Sequence, residues 1–311
     1  MRIGIIGSGN FSEKVYATLQ RNEDFVFIGG YDAPAFKGLM PFDTLEDLVS
    51  QVDCVLIFDM FSSDYSTLSE VVKSGVHLYV ESPMLSTKRE LKKLEMFAYE
   101  SGSQIQLGMK QRFYSFYSDL AKYQIVPRIL EASRFVKFNK NSTQLSVIDD
   151  LMQHDIDVTL KLVDSEVKSI YSTAVGVYYK DPDVVNTRLE FYNGCVANLS
   201  ASKIASRDIH RTKFFQNNTY CSIDFRKQLL KVQNNTPADD ASDEQWGVRT
   251  TYDKAKDTDD YCTMLENEIN SFYNCIANGT ETCAGISQYL QLQSVTDKIK
   301  EQLERNFTTN A

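Results

Sequence analysis

The sequence predicts an α/β chain of two domains. The first is a doubly wound domain on a parallel sheet. The second is an α+β domain with a large, mostly antiparallel open sheet. Three observations lead there. Through the first third of the chain, short apolar runs alternate with longer amphipathic ones. After Arg112 the pattern changes and becomes mostly β between Val167 and Val232. The length, 311 residues, exceeds that of an ordinary single domain. The expected division is therefore 1–112 and 113–311.

In the first domain the runs Ile3–Ile6, Phe25–Gly29, Cys54–Phe58, His77–Val80 and Ile105–Leu107 are short and apolar, as strands buried on both faces should be. Helical stretches fall between them, at Phe11–Gln20, Thr44–Gln51, Tyr65–Ser74 and Thr87–Ser101. Ser86 reads as the cap of the last helix. No capping box is expected there, because Arg89 stands three residues on and Glu90 one further.

In the second domain a helix near Tyr114–Tyr123 leads to a long strand, Arg128–Asn139, and then to a helix, Val147–Val163. Strands are expected at Ile170–Tyr179, Val184–Phe191, Cys195–Ile204, Thr212–Gln216, Thr219–Asp224 and Gln228–Val232. Tyr192-Asn193-Gly194 reads as a hairpin turn, since Asn and Gly tolerate positive φ. The polar stretch Asn234–Asp243 reads as a surface loop, and helices at Cys262–Ala277 and Ile286–Arg305 close the chain.

The charge balance narrows the function. With 33 basic and 42 acidic side chains, a net charge of −9 repels nucleic acid and anionic membrane surfaces. No apolar run reaches the roughly 18 residues that a membrane span needs. The first residues start directly on an apolar strand without a basic leader, so a soluble, cytoplasmic protein is expected. The six cysteines and three histidines are scattered without ligand spacing, so no metal site is expected and the cysteines should be reduced.

The segment Gly4-Ile5-Ile6-Gly7-Ser8-Gly9-Asn10-Phe11-Ser12 follows a strand and opens a helix. That is the setting in which a glycine loop binds a dinucleotide in a Rossmann domain. Gly7 permits the tight turn, Gly9 lets backbone approach a pyrophosphate, and small Ser12 allows close helix–strand packing. Asn10 and Phe11 lie at the helix start, where free N–H groups and the dipole favour an anion. Asp32 stands at the end of the next strand. A carboxylate there accepts from the ribose hydroxyls and repels a 2′-phosphate, so NAD is expected rather than NADP.

The densest chemical cluster is Asp149-Asp150-Leu151-Met152-Gln153-His154-Asp155-Ile156-Asp157. Asp150 and His154 share a helix face, and a carboxylate beside an imidazole suits removal of a hydroxyl proton. An acidic first turn with an incidental histidine remains the alternative at this point.

Together the glycine loop, Val80-Glu81-Ser82-Pro83, Gly108-Met109-Lys110-Gln111-Arg112-Phe113 and the Asp150–Asp157 segment resemble the Gfo/Idh/MocA oxidoreductases. The resemblance covers nearly the whole chain. Within that family the Asp150 segment and Arg188–Ser202 look like a branch that includes UDP-N-acetylglucosamine 3-dehydrogenases. The resemblance implies a sugar or nucleotide-sugar substrate, with His154 as acid/base and Asp150 as its partner. It places Glu81, Ser82 and Pro83 at the cofactor, and Arg112, Arg134, Lys137 and Lys110 as substrate contacts. It also implies a homodimer or homotetramer through the C-terminal sheet.

The family's Glu-Lys-Pro is Glu81-Ser82-Pro83 here, and serine cannot supply the lysine's charge. Loss of such a contact typically costs about 10²–10³ in rate. Lys110 is a substitute nearby in sequence, although strand alternation would point it opposite to Met109. Three readings follow: an NAD-dependent sugar dehydrogenase, a degraded relative that only binds dinucleotide or sugar nucleotide, and a reductase whose substrate needs no lysine.

Overall fold

The computed structural model describes residues 1–7, 13–33, 39–58, 63–81, 86–114, 120, 125–139, 146–178, 181–236, 247–254 and 261–309. The chain forms two compact units, the first made of Met1–Phe113 and Asp260–Gln291, the second of Tyr114–Asp259 and Leu292–Ala311.

The first unit is a six-stranded parallel sheet in the order β3-β2-β1-β4-β5-β6. In chain order its elements are β1 (Arg2–Ile6), α1 (Glu13–Leu19), β2 (Val26–Tyr31), β3 (Met40–Phe42), α2 (Leu45–Val49), β4 (Cys54–Ile57), α3 (Tyr65–Lys73), β5 (His77–Glu81), α4 (Lys88–Ser101) and β6 (Ile105–Gly108). The central β4 and the terminal β6 are buried at every position, which explains their unbroken apolar runs. The short edge strand β3 escaped the sequence reading: three residues containing Pro41 give no periodic signal.

Two expectations need correction here. The cap of α4 is Thr87, not Ser86. The Thr87 hydroxyl accepts from Glu90 N, and the Glu90 carboxylate accepts from Thr87 N at 2.7 Å. A true capping box therefore exists, one residue along from the expected register. The second correction concerns the domain division, because the chain after 113 is not one continuous domain. The helix Tyr261–Asn278 packs into the first unit. Its Leu265, Ile269 and Phe272, each at most 1% exposed, join Ile3, Ile5, Leu19 and Leu56 in one apolar core. An amphipathic pattern shows that a face is buried but not against what.

The second unit carries an eight-stranded sheet in the order β14-β13-β12-β11-β7-β10-β9-β8. Its strands are β7 (Ile129–Lys137), β8 (Val167–Val175), β9 (Val184–Phe191), β10 (Val196–Ala205), β11 (Ile209–Gln216), β12 (Thr219–Asp224), β13 (Leu229–Thr236) and β14 (Gly247–Lys254). Only β7 and β10 run parallel; every other neighbouring pair is antiparallel. Burial alternates along β9, with Val185, Thr187, Leu189 and Phe191 buried, so one face of the sheet is covered.

The expected hairpin at Tyr192-Asn193-Gly194 joins β9 to β10, and Gly194 takes φ 84. The polar stretch from Asn234, expected as a loop, starts as strand: β13 runs on to Thr236 and pairs with β14, a strand the reading missed. Polar side chains there hid the pairing of the backbone. The expected helix at Tyr114–Tyr123 lies mostly outside the described residues.

Over Val147–Val163 the chain is helical, but Ile148–Met152 forms a π-turn before α5 (Gln153–Val163). Gln153 N donates to Ile148 O across this wider turn. Ser146 starts the run: its Oγ accepts from Asp149 N at 3.1 Å. The last helices are α6 (Tyr261–Asn278) and α7 (Ile286–Thr309).

Candidate active site

In the first unit Gly7, Asp32 and Glu81 lie at the carboxyl ends of parallel strands. Gly7, just past β1, has φ 79 and donates its N–H to Tyr31 O at 3.2 Å. A side chain would be strained at that φ, so glycine is required where the chain turns. Asp32 follows Tyr31 at the end of β2; it is exposed and takes φ 49. Asp tolerates this left-handed conformation better than most residues. Glu81 ends β5 and is 7% exposed. Gly9, Asn10, Phe11, Ser12, Ser82 and Pro83 lie outside the described residues. Strand ends beside β1, where the strand order reverses, are where open α/β sheets bind dinucleotides. A turn requiring glycine and an exposed carboxylate on the neighbouring strand fit that ligand.

Behind this edge a carboxylate is completely buried. Glu268 of α6 accepts from Tyr79 OH at 3.0 Å and from Met109 N at 2.8 Å, and Gln106 Nε2 donates to its carbonyl at 3.1 Å. It thereby fixes the backbone just beyond β6. Met109 and Lys110 are not on a strand, because β6 stops at Gly108 and Lys110 opens a 3-10 turn, Lys110–Phe113. Strand alternation therefore does not set the direction of Lys110. Arg112, in the same turn, is 9% exposed, and its Nη1 donates to Cys283 O at 2.6 Å.

In the second unit the π-turn and α5 lie over the covered face of the sheet. Asp150 sits in the π-turn and half-buried His154 in the first turn of α5. Such turns add a residue to the helix and are frequent at functional sites. Lys203 of β10 reaches Asp150, Nζ to Oδ2 at 3.0 Å, with only 12% of the lysine side chain exposed. A second cluster adjoins it. Asp155, 2% exposed, has Oδ1 3.4 Å from His210 Nε2, and Arg134 Nη1 lies 3.4 Å from the same nitrogen. Phe225 stacks on the His210 ring with centroids 4.0 Å apart. Burial, together with the nearby Arg134 charge, lowers the His210 pKa below its ordinary value, against the opposing pull of Asp155 and Asp224.

Register explains the gathering. His210 is opposite Arg134 across β11 and β7, and Ala201 is opposite Arg134 across β10 and β7. Three adjacent strands thus present these side chains to one helix. Lys137 is exposed at the end of β7, and its N–H donates to Asp208 at 2.7 Å. Sequence reading missed Lys203 and His210. Each lies far along the chain from Asp150, and no local spacing marks them.

Comparison with known proteins follows the same division. Residues 1–109 match the model of an oxidoreductase family described as an NAD-binding Rossmann fold. Over these residues the chain is similar to the Gfo/Idh/MocA family. Over 244 residues the chain is 28% identical to UDP-N-acetylglucosamine 3-dehydrogenase of Acidithiobacillus ferrooxidans, covering 75% of this chain and 76% of that protein. It is 25% identical over 181 residues to scyllo-inositol 2-dehydrogenase (NAD(+)) of Bacillus subtilis, covering 52% of each. A solved structure of the Acidithiobacillus enzyme superposes with TM-score 0.86 at 24% identity, covering 99% of this chain and 98% of that one. Both units therefore have the architecture of a known dehydrogenase. Among the described residues no helix is long and apolar enough to cross a membrane.

Proposed function

We propose that this chain oxidises or reduces a ring hydroxyl carbon of a sugar or nucleotide sugar, with NAD as its partner and His154 as the acid/base. NAD, when bound, accepts or returns the hydride. Gly7 and Asp32, with Gly9, Asn10, Phe11 and Ser12, would hold it. The observation that carries the reading is the pairing of Lys203 with Asp150 in a π-turn one helical turn from His154. Asp150 is thereby fixed in orientation, four residues before the imidazole whose task is to take the hydroxyl proton. Lys203, paired with Asp150 and with 12% of its side chain exposed, is a cation close to Asp150 in this reading. Arg134 and Lys137 remain substrate contacts in this reading. Arg112, engaged on Cys283 O, acts more indirectly by holding its own turn.

The test is turnover. Purified protein with NAD and a panel of UDP-sugars should generate reduced nicotinamide, and His154→Ala should abolish the signal. Binding of NAD with no turnover of any sugar would instead support the second reading, a degraded relative, which the residue Ser82 favours. Ser82→Lys separates the two further: a gain in rate marks a degraded family site, and a loss marks chemistry that no longer uses that lysine.

The same reading includes self-association through the uncovered face of the eight-stranded sheet. Ile129 and Phe215, paired across β7 and β11, are 47% and 36% exposed there, and Tyr171 on β8 is 58% exposed. Apolar groups on an uncovered sheet face fit a second copy of this chain.

A further inference from the structure

The end of the second unit's sheet near the start of α5 holds a basic cavity that the proton-transfer residues do not account for. Its volume is about 410 Å³, within the range of small-molecule sites. Arg207 and Asp208 of the β10–β11 connection form one wall, His210 and Arg211 of β11 a second, and Arg226 and Lys227 of the β12–β13 turn a third.

Some of the charge is spent internally. Arg226 Nη1 pairs with Asp208 Oδ2 at 2.7 Å, and Arg211 Nη2 pairs with Asp224 Oδ2 at 2.7 Å. Neither Arg207 nor Lys227 pairs with a carboxylate among the described residues. With Asp224 also in the lining, Arg207, Arg211, Arg226 and Lys227 face two carboxylates, an excess of positive charge on a chain whose net charge is −9. The paired guanidiniums keep further N–H donors for a ligand, since a carboxylate engages only part of the fork.

The floor connects this cavity to the proposed acid/base. His210 is stacked on Phe225 and stands 3.4 Å from Asp155 Oδ1. Asp155 is buried, makes no hydrogen bond through that oxygen, and directly follows His154 in the chain. An anion in the cavity would therefore lie one layer of side chains from the helix that carries His154.

We propose that this cavity binds the diphosphate of a nucleotide-linked substrate. Its four cations against two carboxylates leave an excess that matches the negative charge of a diphosphate, and its remaining guanidinium donors match phosphate oxygens. The proposal rests on the dehydrogenase reading for its substrate, but its binding chemistry stands apart from turnover. Free pyrophosphate presents the same chemistry, so the test separates the sources.

The full-length protein, saturated with NAD so that the glycine loop is filled, is titrated calorimetrically with UDP, uridine, pyrophosphate and orthophosphate. The same titrations are run on Arg207→Gln/Lys227→Gln, which changes two exposed side chains that make no close ion pair among the described residues. UDP and pyrophosphate should bind the native protein and lose about 10-fold or more in affinity in the variant, with NAD affinity unchanged. Uridine should bind far more weakly than UDP. Unchanged UDP affinity in the variant would overturn the proposal, and so would equal affinity for orthophosphate and pyrophosphate. If no UDP-sugar is oxidised while the variant still loses UDP, the dehydrogenase reading fails and the subsite stands. If a UDP-sugar is oxidised with the same KM in the variant, the subsite fails and the dehydrogenase reading stands.

Discussion

Burial and the neighbouring Arg134 disfavour a positive charge on His210, against the pull of Asp155 and Asp224. Its folded pKa is lowered, so the unfolded chain takes up a proton first as pH falls. Stability from this group is therefore full above the ordinary histidine value and is lost as pH falls through the lower folded value. Thermal midpoints measured from pH 8 to pH 5 should decline, and His210→Gln should flatten that decline. Lys203 is tested differently. Lys203→Met should lower kcat by about 10-fold or more with NAD affinity unchanged, because a positioned charge near the reacting groups is lost. Lys203→Arg, which keeps the charge, should recover much of the rate. Equal rates in Lys203→Met and native protein would remove the lysine from the proton-transfer group. Glu268→Ala leaves Tyr79 OH and Met109 N without their buried acceptor, at a cost of about 3 kcal/mol in chemical denaturation.

At the scale of elements the caps and turns set the terms. Thr87→Ala removes the box at the start of α4 and should cost about 1 kcal/mol. The Glu90 carboxyl is held below its ordinary value by the Thr87 N–H and hydroxyl. This contribution is present above the ordinary glutamate pKa and fades as pH falls through the lowered one. Gly194→Ala meets only Arg128 Nη1, 3.9 Å away, so its cost is the strain of φ 84 alone, about 1 kcal/mol by denaturation.

These elements also show what a sequence can carry. Gly7 and Asp32 were legible because a turn and a strand end fix their spacing, and β9 was legible because one face is wet. The π-turn under Asp150 leaves no trace in an apolar pattern that an ordinary helix satisfies equally well. Lys203 and His210 were not legible as neighbours of Asp150 and Asp155, since only strand register brings them there. The partner β14 was hidden because backbone pairing there is indifferent to polar side chains.

For the whole molecule, the important fact is that α6 completes the core of the first unit. Phe272→Ala should destabilise that unit by about 3–5 kcal/mol and weaken NAD binding, although the residue is distant in sequence from the glycine loop. A fragment ending at residue 113 should show no cooperative melting, since it lacks Leu265, Ile269 and Phe272. On the sheet of the second unit, Phe215→Lys should shift sedimentation toward the monomer while leaving the thermal midpoint nearly unchanged. An unchanged assembly would exclude that face as the contact.

The same interruption gives the protein a timetable. A ribosome that has finished residue 113 must add about 150 more before the segment 260–291 begins to emerge. At roughly 5–20 residues per second, that interval is on the order of 10 s. During it the strands of the first unit lack the side of their core that Leu265, Ile269 and Phe272 will fill. The order of synthesis and the order of completion are therefore reversed: the first unit is finished only after all eight strands of the second sheet have been made.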